Sequence, residues 1–209
     1  MKKTIQTETV VESHNFYKDK IKSLGIDSYS GRGSCIYTTE DIRKHLPLIL
    51  KKFNIKSIVD SPCGDWNWMK TIDLEGVNYI GYDILEDVLE SNNKNHGNDL
   101  VKFYWKDLVS ESLTEKCDLI ICRDFLFHIS TKNGLSLLEK FRSTGSKYLL
   151  STSFEGVATN LDINPLDKGY GFRQINLKIE PFNMLKPIYS FSETHPDNQG
   201  RSMHLWKLN

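Results

Sequence analysis

VDSPCGDWNWM, residues 59–69, follows the short β-branched run at 55–59 and reads as a strand passing into a ligand-binding turn. The turn holds one glycine, Gly64, with Pro62 and Trp66 where a looser loop would carry more. In a doubly wound sheet such a turn sits beyond the carboxyl end of the first strand, where the strand order reverses and ligands bind. Gly64 lets the backbone approach a ligand closely, and Asp60 and Asp65 bracket it.

The same strand form recurs outward from this turn in VNYIGYDI (77–84), LVKFYWKDL (100–108), KCDLIICRDF (116–125) and SKYLLSTSF (146–154). The intervening stretches read as helices, most clearly 84–93 and 132–141. Strands alternating with helices predict a parallel sheet. Two more strand candidates, PIYSFSE (187–193) and RSMHLWKL (201–208), flank the short linker THPDNQG, as a hairpin would. The expected fold is α/β: a doubly wound, seven-stranded mixed sheet closed by a C-terminal antiparallel hairpin and preceded by N-terminal helices. Those helices are expected at 11–24, with Phe16, Ile21 and Leu24 on one face, and at 38–53. The second has Thr38 and Thr39 as caps and a break or bend at Pro47. The chain divides as one domain, 1–209: N-terminal helices with a covering loop (1–53), a binding core (54–155), a lid or substrate region (156–187) and the hairpin (188–209).

Lys plus Arg and Asp plus Glu number 27 each, so no global field gathers a polyanion, and a small molecule is favoured over nucleic acid as partner. No apolar run approaches a membrane span, and the two lysines near the N-terminus precede no apolar segment, so a cytoplasmic protein without membrane contact is expected. Cys35, Cys63, Cys117 and Cys122 have no metal-ligand spacing; reduced, buried thiols and no metal are expected.

Asp83 ends the second strand nineteen positions after Gly64, as a carboxylate that accepts hydrogen bonds from two ribose hydroxyls would. Asp107 ends the third, suited to an exocyclic adenine amine with Leu108 against the ring, or equally to a turn or helix cap.

IVDSPCGDWNWM, YIGYDI, WKDL and DLIICRDFLFHIS, in this order and at these intervals, resemble the successive motifs of class I S-adenosylmethionine-dependent methyltransferases. More narrowly, SGRGS, SPCGDWNWM, CRDFLFHIS and INLKIEPFNMLKPI resemble a group of small bacterial methyltransferases with a PCGDFNWM-like first motif, often linked to surface-glycan genes. The resemblance runs from about Ser30 to the C-terminus. It implies S-adenosyl-L-methionine as cofactor, held by Asp60, Ser61, Pro62, Gly64, Asp65, Trp66, Asp83, Ile84, Asp107, Leu108 and Arg123, with the Ser30–Ser34 loop across its methionine end. Trp66 and Trp68 would offer cation–π contact to a sulfonium or substrate, or simply pack in the core.

Methyl transfer to a hydroxyl calls for a base near the acceptor; an amine need only arrive unprotonated. Asp124 and His128, in CRDFLFHIS, are the catalytic candidates, with Asp124 orienting the methionine ammonium or acceptor and His128 as base. An exposed Arg–Asp pair and a packed histidine are the structural alternatives. Glu155, Arg173 and Asn176 are the remaining substrate candidates beside Trp68, while Asn160 and Asp162 belong to the same narrower pattern. Arg173 also suits a salt bridge tying the lid to the body. His195, in the hairpin linker, is expected to be exposed. The acceptor implied is a small molecule, such as a sugar or phosphorylated metabolite. An NAD-dependent oxidoreductase would use Asp83 equally well but lacks GxGxxG after the first strand; a nucleoside-binding module without turnover is the non-enzymatic alternative.

Overall fold

The computed structural model describes residues 23–163 and 171–208, with positions 15, 18 and 21. Most of the helix expected at 11–24 lies outside them. Seven strands form one sheet: β1 (Ser57–Asp60), β2 (Asn78–Asp83), β3 (Val101–Trp105), β4 (Leu119–Cys122), β5 (Tyr148–Phe154), β6 (Tyr189–Ser192) and β7 (Arg201–Lys207). Their order is β3-β2-β1-β4-β5-β7-β6. The pairs among β1 to β5 are parallel, and β7 is antiparallel to both β5 and β6. This is the mixed sheet with a terminal hairpin that the strand pattern predicts, and it places the order reversal between β1 and β4.

Three α-helices accompany the sheet among the described residues: α1 (Glu40–Lys52), α2 (Glu86–His96) and α3 (Thr131–Ser143). α1 buries Ile42, Leu46, Ile49 and Leu50, one face at helical spacing, with Glu40 and Asp41 in its first turn and Lys51 and Lys52 in its last, each favourable to the helix dipole. The break expected at Pro47 does not occur. Pro47 is exposed, so the Arg43 carbonyl left without its helical donor is on the watered side, while the buried residues before and after it hold the helix together. Thr39 stands at the N-cap of α1, as expected, but neither it nor Thr38 makes a side-chain capping bond; their hydroxyls donate back to the carbonyls of Arg32, Cys35 and Ile36. The hydroxyl of Ser130, by contrast, caps α3, accepting from Asn133 N.

Alternation along the strands splits the core into two layers. Ile58, Leu119, Ile121, Leu150, Met203 and Leu205 face α1 and the Trp66–Met69 turn. Val59, Ile120, Cys122, Leu149 and Trp206 face Leu137, Leu138 and Phe141 of α3. The described part of the β5–β6 connection has neither helix nor strand; Ile175, Leu177, Phe182 and Met184 of that segment fill the second layer instead. All four cysteines are buried and unbridged. No helix among the described residues is long and apolar enough to cross a membrane, and none of their His, Cys, Asp and Glu side chains cluster as a metal would need.

Candidate functional site

The carboxyl ends of β1, β2 and β4 converge on the 59–69 turn. Gly64 (φ 56°) and Trp66 (φ 55°) both take left-handed conformations, which bend the chain back toward β2. There the Gly64 N–H donates to Asp83 Oδ2 at 3.0 Å, while Ile84 N and Leu85 N donate to Oδ1 at 2.8 and 3.2 Å. Backbone groups from two elements thus fix the buried Asp83 carboxylate at the switch point of the sheet. Ser61 is fully buried, and its hydroxyl has no hydrogen-bond partner among the described residues. A buried hydroxyl without a partner in the turn that follows β1 suits a polar ligand there.

Asp60, at the end of β1, accepts from the Tyr79 hydroxyl at 2.7 Å. Burial pushes its carboxyl up to about 7, assisted by the negative charge of Asp83 and opposed by Tyr79. A raised carboxyl pKa favours the folded state below the unfolded value, and that advantage is lost as pH rises through about 7. Asp60→Asn, which keeps an acceptor for Tyr79, is therefore expected to raise the urea midpoint above pH 7, with the gain fading toward pH 4; a constant difference across that range contradicts the assignment.

The Ser30–Ser34 loop folds over this turn. Asp65 accepts from the Ser28 hydroxyl at 2.9 Å and from Tyr29 N at 2.7 Å, and Asp65 N donates to Ser30 Oγ at 2.8 Å. A side chain at Gly64 would place its Cβ 2.4 Å from Ser30 Oγ, so glycine is needed there for contact as well as for conformation. Pro62, joined to Ser61 by a cis peptide bond, completes the turn.

The two tryptophans pack in the core. Trp66 is edge-on to Tyr79 and Phe103 at 5.5 and 5.3 Å and lies 5.0 Å from His96 of α2. Trp68 lies in the same layer, its ring 5.9 Å from the Arg123 guanidinium. Trp66 thus wedges α2 against β2 and β3, and the cation beside Trp68 is the protein's own. Asp107 is taken up by its own turn: its carboxylate accepts from Val109 N at 3.0 Å and from the Ser110 hydroxyl at 2.8 Å, the turn-capping alternative. Leu108 is buried in the second layer. Ile84 is half-buried, and its carbonyl accepts from the Trp105 indole N–H at 3.0 Å.

Beyond β4 lies a buried ion cluster that sequence reading misses in half of its members. Arg123 donates through Nη2 to Glu193 Oε1 at 2.7 Å and through Nη1 to the Gly33 carbonyl at 2.7 Å. Asp124, at φ 54°, contacts Arg123 Nη1 at 3.1 Å and Arg201 Nη1 at 2.5 Å, and accepts from the Thr152 hydroxyl at 3.0 Å. Arg201 Nε stands 2.7 Å from Glu193 Oε2, an ionic contact off the line of a hydrogen bond. Burial alone would raise the Asp124 carboxyl, and Arg123 and Arg201 outweigh it, holding the carboxyl below its usual value. Arg123 and Asp124 are thus not an exposed pair: they join β4 to the hairpin and to the covering loop. Glu193 and Arg201 border the linker, where a sequence reading expects solvated charge; the available signal is their placement at the facing ends of the hairpin strands.

His128 ends the short turn Leu126–His128. Its Nδ1 lies 2.9 Å from the Gly171 carbonyl, an acceptor only, so Nδ1 carries the proton and Nε2 the lone pair. Burial chiefly lowers its pKa to about 4, and the ring is neutral at pH 7. Arg173 donates to the Ile129 carbonyl at 2.5 Å and stands 3.6 Å from Asp162 Oδ1, the salt-bridge alternative. Asn176 and Asn160 clasp each other: Asn176 N donates to Asn160 Oδ1 at 2.8 Å, and Asn160 Nδ2 donates to the Asn176 carbonyl at 2.9 Å. Glu155 is exposed and turned toward Lys178 and His204. The structure therefore brings Asp60, Ser61, Gly64, Asp65 and Asp83 together, with Arg123 and Asp124 beneath the covering loop, and directs Arg173 and Asn176 to the fastening of the 171–187 segment. His195 is half-buried, its ring 5.2 Å from that of Tyr37.

No family model and no curated protein sequence matches the chain. Solved structures do. The magnesium protoporphyrin IX methyltransferase of Synechocystis PCC 6803 with bound S-adenosylhomocysteine is similar with a TM-score of 0.68 at 12% identity, over 97% of this chain and 99% of that one. The 1,6-didemethyltoxoflavin-N1-methyltransferase of Burkholderia thailandensis, with 1,6-didemethyltoxoflavin and S-adenosylhomocysteine bound, gives 0.66 at 12% identity over 99% and 92%. The N-methyltransferase NodS of Bradyrhizobium japonicum WM9, in complex with S-adenosylhomocysteine, gives 0.65 at 10% identity over 92% and 98%. The chain has the Rossmann-like fold of these methyltransferases along nearly its whole length.

Proposed function

We propose that this chain is an S-adenosyl-L-methionine-dependent methyltransferase acting on an oxygen or nitrogen of a small-molecule acceptor. The observation that carries this reading is the Gly64–Asp83 pairing, next to the switch point of a sheet ordered as above. Asp83 would hold the two ribose hydroxyls and Gly64 would allow the nucleoside close to the backbone. The Ser30–Ser34 loop would cover the methionine end and exclude water, pinned there by Asp65 and, through the Gly33 carbonyl, by Arg123.

When bound, the cofactor supplies a methyl group activated on a sulfonium. Transfer then depends mainly on holding the acceptor lone pair in line with the departing sulfur. His128, its ring neutral and its tautomer fixed by the Gly171 carbonyl, is the candidate to take the proton of an acceptor hydroxyl. Asp124 supports the site as a positioning residue, since its carboxylate is occupied by Arg123, Arg201 and Thr152. The narrower sequence resemblance makes sugars and phosphorylated amines of surface-glycan synthesis the first acceptors to screen, by uptake of a labelled methyl group. With an acceptor in hand, His128→Ala is expected to bind S-adenosylhomocysteine normally and lose roughly 10²–10⁴-fold in rate. A full rate returns His128 to packing, and no methyl uptake by any acceptor class counts against the enzyme itself.

A further inference from the structure

With no helix among the described residues between β5 and β6, a cavity of about 420 Å³ lies over the hairpin, its lining including Glu155, Lys178, Met184, Lys186 and Ser190. None of these side chains belongs to the turn site. Behind Ser190 stands His204, 1% exposed, opposite it in the β6–β7 register. Ser190 Oγ is 2.6 Å from His204 Nδ1, and Glu155 Oε1 is 3.2 Å from His204 Nε2. The second contact is off the line of a hydrogen bond. Lys178 Nζ lies 2.5 Å from the same Glu155 oxygen and, by that hydrogen bond, keeps the carboxyl below its usual pKa.

Three side chains from three segments thus form a hydroxyl–imidazole–carboxylate array. Burial holds the His204 imidazole below its usual pKa, so the ring is neutral at pH 7. A carboxylate beside Nε2 stabilises the tautomer with the proton there and repels the other one, which leaves the Nδ1 lone pair facing Ser190. The hydroxyl is on an exposed residue of the edge strand, at the cavity wall, with Lys186 adding positive charge and Met184 apolar surface. These are the components of an activated nucleophile: a hydroxyl, a buried base within reach and an orienting acid.

We propose that Ser190 is the nucleophile of a second site, activated by His204 and positioned by Glu155, which accepts the acyl group of a small ester bearing a negative charge. Ser190 Oγ attacks the carbonyl carbon and its proton passes to His204 Nδ1. The ester C–O bond breaks, and the departing alkoxide takes that proton to leave as the alcohol. Water then cleaves acyl-Ser190, its proton returning through His204, and the acid is released. No oxidant or metal enters this balance, and the site is independent of the methyl-transfer reading.

The test is a fluorophosphonate probe on the full chain, read by intact mass and peptide mapping. Attack forms the Oγ–P bond and expels fluoride. One phosphonyl group per chain is expected, at Ser190, absent in Ser190→Ala and formed at least ~100-fold more slowly in His204→Ala. Glu155→Gln is expected to shift the pH profile of labelling, which a merely structural role would not do. Nitrophenyl hemisuccinate is expected to turn over faster than nitrophenyl acetate, a preference lost in Lys186→Met. Should His204→Ala fail to fold, Ser190→Ala, an exposed substitution, still decides the matter. An unmodified Ser190 in the folded wild-type chain, or labelling that is equally fast without His204, overturns the proposal.

Discussion

Asp83→Ala is expected to weaken S-adenosylhomocysteine binding by roughly 10²–10⁴-fold. Two hydrogen bonds from ribose hydroxyls to a charged acceptor contribute about 1.5–3 kcal/mol each, and each 1.4 kcal/mol is a factor of ten in affinity. The substitution also strips an acceptor from Gly64 N, Ile84 N and Leu85 N, so the turn itself loosens. Asp83→Asn separates these effects. It keeps one oxygen for the backbone but loses the charge and one acceptor, so its fold should be retained while its affinity falls. Titration calorimetry beside a urea unfolding curve reads both quantities, and unchanged affinity in Asp83→Ala removes the ribose assignment.

Glu193→Ala is expected to cost about 3–5 kcal/mol of unfolding free energy, the penalty for leaving buried cations uncompensated. The cluster is neutral as built: Arg123 and Arg201 face Asp124 and Glu193. Removing Glu193 leaves net positive charge where side chains are almost wholly out of water. For a domain whose total stability is about 5–15 kcal/mol, that is a large fraction. Arg123→Met in the same chain restores neutrality, so the double variant should be less destabilised than the sum of the single ones. A urea midpoint unmoved by Glu193→Ala shows instead that the cluster behaves as a solvated surface pair. Because Arg123 also holds the covering loop through the Gly33 carbonyl, Arg123→Met should expose that loop to proteolysis.

The strand pattern was legible because its signal is local. Ile58, Val59, Leu119, Ile120, Leu149 and Leu150 alternate between two covered faces, and a β-branched or leucine-rich run between turn residues suffices to mark such a strand. Gly64 and Asp83 were legible for a related reason: Gly64 lies in the turn that follows β1 and Asp83 closes β2, and the topology alone brings them together. The tryptophans were ambiguous, because an indole beside a binding turn and an indole under it have the same sequence, and only the contacts of Trp66 with Tyr79, His96 and Phe103 separate them. Glu193 and Arg201 could be placed only as far as the facing ends of the hairpin strands, since their pairing with Arg123 and Asp124 across 70 or more positions leaves no local trace. Pro47 misled because its penalty depends on where the freed carbonyl points, a property of the folded surface.

The most direct test of the central claim is a calorimetric titration of the purified chain with S-adenosylhomocysteine and, separately, with NAD. Saturable binding of S-adenosylhomocysteine with no heat from NAD is the predicted result. Binding of NAD alone, or of neither nucleoside by a folded chain, contradicts it.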